Sequence, residues 1–232
     1  MTRVYFLYLL FNYSKLHNKQ GENYLFNLFA LLTKKKYWRL HSFFIKAILK
    51  VYKIRIGKNF YIEGIPKLKI NGNPENIQIG NNVSILGDID IRNRENGRII
   101  IKNNVTIEHD CRFVAARDGD IIIDSGTSIG AQAVMNGGAD IQIGKNCIFA
   151  VRVSINSNDH EAGIHDIIKN QGYKYAPVII QDDCWFGANV AINKGVSIKK
   201  GSIIGANAVV TKDINEFSIN VGIPAKQISK RK

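Results

Sequence analysis

Between Val178 and Val210 the chain repeats every six residues. Ile180, Phe186, Ile192, Ile198, Ile204 and Val210 hold that strict spacing, and two residues before each stands Val178, Cys184, Val190, Val196, Ser202 or Ala208. No helix has a period of six, and a single strand needs only a period of two. An alternating inward pair every six residues describes a short strand, a corner and another short strand. Such hexapeptide repeats build a parallel β-helix, where each coil buries its inner face only by stacking on the next. The tripeptide Gly-Ala-Asn occurs at 187–189 and 205–207, eighteen residues apart. Eighteen is three hexapeptides, so the two sites are expected one above the other on adjacent coils.

The same pattern, with longer corners, runs back to Ile54. Coil starts fall at Ile54, Ile77, Ile99, Ile121, Ile141, Val178 and Val196, with spacings of 23, 22, 22, 20, 37 and 18. Asn71-Gly72-Asn73-Pro74 and Arg94-Glu95-Asn96-Gly97 have turn chemistry suited to the longer corners. The spacing of 37 is one coil plus an insertion, predicted as a loop near 158–176. Long loops in regular frameworks often carry function. The expected organisation is an N-terminal helical segment over 1–53, a β-helix over 54–211 and a C-terminal extension over 212–232.

Charge separates the first segment from the rest. Residues 1–53 hold ten Lys or Arg and one acid, Glu22, which leaves +4 of the net +13 for the other residues. The run 4–11 is apolar, but a bilayer span needs about 20 residues. Arg3 precedes it without a small-x-small cleavage site following, so secretion is not expected. Leu25, Leu28, Phe29 and Leu32 keep helical spacing, as do His41, Phe44, Ile45, Ile48 and Tyr52, with Lys46, Lys50 and Lys53 on the opposite face of that second helix. A basic amphipathic helix suits either the end of the β-helix or an anionic membrane surface. No nucleic-acid recognition motif accompanies the charge, so nucleic acid is not an expected partner. Cys111, Cys147 and Cys184 include no C-x-x-C pair. The odd count argues for reduced thiols in the cytoplasm, and Cys147 and Cys184, at the repeat position also held by Val83, Val105 and Ser202, read as small core residues.

Cys184-Trp185-Phe186-Gly187-Ala188-Asn189-Val190, Val209-Val210-Thr211-Lys212-Asp213 and Gly222-Ile223-Pro224-Ala225-Lys226 resemble the hexapeptide-repeat acyltransferases. Asn158-Asp159-His160-Glu161, followed by Gln171-Gly172, is similar to the sugar O-acetyltransferases among them, related to the galactoside and maltose acetyltransferases and to those of polysaccharide gene clusters. The resemblance covers roughly residues 54–228. It implies a left-handed parallel β-helix, an exception to the right-handed crossover rule. It further implies a homotrimer with sites between subunits, acetyl-CoA as donor and a sugar or glycan acceptor.

The resemblance makes His160 the general base, since acetylating a hydroxyl requires removal of its proton and an imidazole does this near neutral pH. Glu161 or Asp159 is a candidate to orient the ring. Asn136 stands where the family often puts a polar residue for substrate or oxyanion, although Val134-Met135-Asn136-Gly137-Gly138 matches poorly and a turn asparagine serves equally well. The small residues Gly187, Ala188, Gly205 and Ala206 would let a pantetheine arm approach the backbone, or would simply meet the needs of a corner. Lys212 and Lys226 fit contacts to CoA phosphates, and Trp185 a position beside the donor or in an interface.

His109, His160 and His165 also raise a zinc reading, because γ-class carbonic anhydrases share the fold and use three histidines. His109 lies ten residues after the start of its coil and His160 nineteen after the start of its own. They should therefore occupy different corners, and no metal is expected. Other readings are an N-acetyltransferase acting on an amino sugar and a non-catalytic scaffold. The reading favoured here is a cytoplasmic O-acetyltransferase, with peripheral contact to the inner membrane face through the N-terminal segment.

Overall fold

The structure is a computed structural model and describes residues 35–232. The chain divides into two compact units, Met1–His41 and Ser42–Lys232. The apolar run 4–11 and the stripe Leu25, Leu28, Phe29 and Leu32 lie outside the described residues. In the first unit the described residues begin helix α1 (Lys35–Val51), where Trp38 meets Tyr37 and His41 edge to face with ring centroids 4.9 and 5.4 Å apart.

In the second unit the chain winds through three parallel sheets in a fixed order. The first face carries seven strands from Arg55–Ile56 to Ser197–Ile198, and the third carries seven from Pro66–Ile70 to Val209–Val210. The second face carries nine, from Tyr61–Ile62 to Lys226–Lys230. Each coil contributes one strand per face, so corresponding residues stack in register: Ile121 on Ile141, Ile141 on Val178, Ile148 on Trp185, Trp185 on Ile203. The architecture is a left-handed parallel β-helix of about seven coils.

The six-residue pattern is the inward side of these strands. Val178, Ile180, Cys184, Phe186, Val190, Ile192, Val196, Ile198, Ser202, Ile204, Ala208 and Val210 are all buried. So are the inward pairs of earlier coils, such as Ile99 with Ile101 and Ile121 with Ile123. Cys147 and Cys184 occupy the small inward position on the second face and Cys111 its equivalent on the third, all as free thiols. Ser202 is tolerated inside because its hydroxyl is within 2.6 Å of the Lys199 carbonyl and 2.8 Å of that of Asn215.

Sharp corners need a left-handed backbone, which asparagine and glycine adopt most readily. Between the first and second faces that position holds Asn59, Asn82, Asn104, Gly126, Asn146, Asp183 and Gly201 in successive coils, all with positive φ. The Asn59 amide donates to Asn82 and the Asn82 amide to Asn104, both at 2.9 Å, so the corner is also a side-chain ladder.

Both ends of the stack are closed. At the first coil, Ser42 Oγ accepts from the Ile62 amide at 2.8 Å and donates to its carbonyl at 3.1 Å, on an edge with no earlier coil. Lys46 Nζ donates to the Gly57 carbonyl, and Ile45 and Leu49 join the core cluster with Ile54 and Phe60. The buried stripe of α1 in this unit is thus Ser42, Ile45 and Leu49. It is rotated from the predicted one, since Ile48 and Tyr52 are exposed. At the other end the second face continues past the repeat: Ser218–Val221 stacks parallel on Ile203–Ile204, and Lys226–Lys230 closes the sheet antiparallel to it. No helix among the described residues is long and apolar enough to cross a membrane.

Candidate active site

The insertion leaves the third corner after Ser154–Asn156 and returns at Val178. It is not a featureless loop. Asn158–His160 and Tyr173–Tyr175 form an antiparallel ribbon that pairs Asn158 with Tyr175, Asp159 with Lys174 and His160 with Tyr173. Opposed residues share a face and neighbours alternate. His160, Tyr173, Asn158 and Tyr175 therefore lie on one face, Asp159 and Lys174 on the other.

The His160 ring packs on Tyr173 with centroids 4.3 Å apart. Asp159, a candidate to orient it, instead pairs with Lys194 of the next coil at 2.6 Å, tying the ribbon to the β-helix. Glu161 donates its amide to the Gly172 carbonyl at 2.9 Å. Among the described residues no carboxylate is hydrogen-bonded to His160. The tip is organised by Gln171, whose carbonyl oxygen accepts from the Gly163 amide at 2.7 Å and whose Nε2 donates to the carbonyls of Gly163 and Asp166 at 2.8 and 2.7 Å. Asp159, His160, Glu161, His165, Gln171 and Lys194 line a cleft of about 460 Å³. Another cleft of similar volume runs over the first face between Lys102, Asp124 and Lys200 and holds none of the predicted site residues.

Asn136 lies within the third-face strand Val134–Gly137 of the preceding coil, and its amide donates to Asn156 Oδ1 at 2.9 Å. That bond bridges two coils and answers for the asparagine structurally. The two Gly-Ala-Asn sites stack as expected, with Asn189 Nδ2 donating to Asn207 Oδ1 at 2.9 Å. A Cβ added at Gly187 would stand 2.5 Å from the Ala206 nitrogen, and one at Gly205 would meet Val221 at 2.7 Å. Coil packing alone demands glycine at 187. Trp185 projects outward from the second face and is 51% exposed, in register with the exposed Ile148. Lys212 and Lys226 are exposed. His109 lies at the second corner with Asp110 Oδ2 3.0 Å away, at a different corner from His160 and His165.

The predicted residues thus fall into two groups within one chain. His160, Glu161 and Lys212 follow third-face strands and Asn136 lies within one; Trp185, Gly187, Ala188, Gly205, Ala206 and Lys226 belong to the second face and the corner after it. Tyr173, Tyr175, Lys194 and Arg117 were missed from the sequence. The signal available was the alternation Tyr173-x-Tyr175 inside the insertion; Arg117 had none.

Residues 177–212 match a family described as the hexapeptide repeat of succinyl-transferase. The chain is 34% identical over 125 residues to a probable acetyltransferase of Mycobacterium tuberculosis, covering 53% of this chain and 41% of that protein. It is 35% identical over 89 residues to the galactoside O-acetyltransferase of Escherichia coli, covering 38% of this chain and 43% of that protein. The matched stretch therefore spans less than half the length of either relative. An N-acyltransferase from Bacillus cereus, solved with dTDP-4-amino-4,6-dideoxyglucose and coenzyme A, shares the fold at a TM-score of 0.57 and 24% identity, over 81% of this chain and 89% of that one. The repeat matched at residues 177–212, the seven-coil fold and these relatives make the chain similar to the hexapeptide-repeat acyltransferases.

Proposed function

We propose that the chain transfers an acetyl group from acetyl-CoA to a hydroxyl of a sugar or glycan, with His160 as general base. The observation that carries this reading is the place of His160. It stands on a ribbon inserted into an otherwise regular β-helix, its ring seated on Tyr173 and bordering a cleft of about 460 Å³. The relatives named above, which are described as acetyltransferases, support the reading.

In the proposed step the imidazole takes the hydroxyl proton as the oxygen attacks the thioester carbonyl. The tetrahedral intermediate collapses with cleavage of the carbon–sulfur bond, and the imidazolium returns its proton to the departing thiolate. With no carboxylate among the described residues bonded to the ring, Tyr173 does the orienting, and Glu161 acts through the backbone of the ribbon. Asn136 is available to an acceptor hydroxyl through its carbonyl oxygen and to the oxyanion through the second hydrogen of its amide. Trp185, Gly187, Ala188, Gly205 and Ala206 would lie along the donor, with Lys212 and Lys226 as point charges for its phosphates.

The catalytic and donor groups sit at different corners of one chain, which favours a site closed between copies. The outward row Ile148, Trp185 and Ile203 on the second face supplies apolar surface for that contact. A homotrimer satisfies the geometry. A cytoplasmic location, with the basic N-terminal segment at the inner membrane face, accompanies the proposal. The test is thiol release from acetyl-CoA across a panel of sugars, with the product examined for ester or amide. Sugar-dependent release that leaves an O-acetyl ester is expected. An exclusively N-acetylated product would replace the hydroxyl acceptor with an amine.

A further inference from the structure

Tyr175 does something the proposed chemistry leaves unused. It lies on the same ribbon face as His160 and Tyr173, with its centroid 6.0 Å from that of Tyr173. Its ring also carries the Arg117 guanidinium, 3.9 Å from the ring centroid. Arg117 belongs to the third corner two coils before the insertion. The coil between them is crossed at Gly138, where an added Cβ would stand 2.6 Å from Tyr175 Cε1. The bare corner at Gly138, part of the segment that matched the family poorly, is thus the seat of the tyrosine ring.

The result is a continuous ledge: His160, Tyr173, Tyr175, Arg117. Both tyrosines are exposed, and exposed ring faces suit the apolar faces of a pyranose. Arg117 is exposed, and among the described residues no carboxylate lies within ion-pair distance of its guanidinium. The nearby acids are engaged with other groups: Glu95 accepts the Arg117 backbone amide, and Asp118 accepts from Asn96 Nδ2 at 2.8 Å. A guanidinium held over a ring keeps its fork of donors for other partners, the arrangement suited to bidentate binding of a carboxylate or phosphate.

We infer that the ledge is the acceptor subsite and that Arg117 selects an acceptor bearing an anionic group, a sugar carboxylate or phosphate. The inference rests on the proposed transferase reading for its purpose, but the binding it describes does not require turnover. Tyr175 and Gly138 act as positioning residues that hold Arg117 in place.

The experiment is calorimetric titration of the full chain, without donor, using methyl glucuronoside, glucose 1-phosphate and methyl glucoside as probes. Wild-type protein is expected to bind one or both anionic probes at least about tenfold more tightly than methyl glucoside, in the range of a charge-assisted contact. The anion bound more tightly identifies carboxylate or phosphate as the source. Arg117→Gln should abolish the preference, and Gln132 shows that glutamine accepts the same positive φ at another corner. Arg117→Lys, which keeps the charge but not the planar fork, should restore part of it. Tyr175→Leu should weaken it while Arg117 remains. Equal affinity of wild-type protein for charged and neutral probes would overturn the inference, as would an unchanged preference in Arg117→Gln. Anion-selective binding by protein that, in a separate assay with acetyl-CoA added, acetylates none of the probes would instead count against the transferase reading and leave the subsite standing.

Discussion

His160 separates geometry from energy most clearly. Its ring is held by Tyr173 and by no carboxylate among the described residues, so His160→Ala removes a proton acceptor without breaking a hydrogen-bond network. The chemical step is expected to slow by about 10²–10⁴-fold with acetyl-CoA affinity nearly unchanged, measured by single-turnover kinetics and donor titration. His165→Ala should cost far less. Gly187 presents the opposite case. Since the next coil fills the space a side chain would need, Gly187→Val should lower the melting temperature whether or not donor is bound. Burial pushes the Cys111 thiol up to about 11, and all three cysteines are buried, so alkylation should be negligible in the native protein and complete on unfolding. The inward residues were legible in the sequence because burial acts at fixed intervals of six. The asparagine ladder was not, because its signal is a backbone angle shared by residues about twenty positions apart, and hydrophobic periodicity carries no trace of it.

At the scale of elements, the two additions to the regular framework were legible to different degrees. The insertion was located by a break in spacing, but its pairing was hidden: Asn158–His160 and Tyr173–Tyr175 are short, polar and exposed, with no alternation of burial to reveal a strand. Helix α1 was also foreseen, yet its buried stripe was misplaced. Ser42 reads as polar in any hydrophobicity argument, whereas here its hydroxyl serves the open edge at Ile62 and must lie inside. Ser42→Ala should therefore destabilise by about 1–3 kcal/mol, the cost of leaving a buried amide without a partner, read from denaturant midpoints. Deleting residues through 50 would remove Ser42, Ile45 and Leu49 together. That truncation is expected to lower thermal stability and expose apolar surface to a hydrophobic dye, where truncation before residue 35 leaves these contacts intact.

Across the whole molecule, the proposed site between copies would couple activity to assembly. Sedimentation at decreasing concentration should show specific activity falling as a trimer dissociates; a fully active monomer would remove any site built between copies. A stack of equivalent coils contains no internal instruction to stop, because each rung is a template for the next. Length is set only at the two ends. One is a serine hydroxyl that occupies both hydrogen-bonding valences of Ile62, and the other is a strand of reversed direction with lysine at each limit. The molecule is in this sense a terminated polymer of seven monomers. Unsealing either terminus would leave a growing chain end, able to recruit another copy head to tail and to become the seed of a fibre.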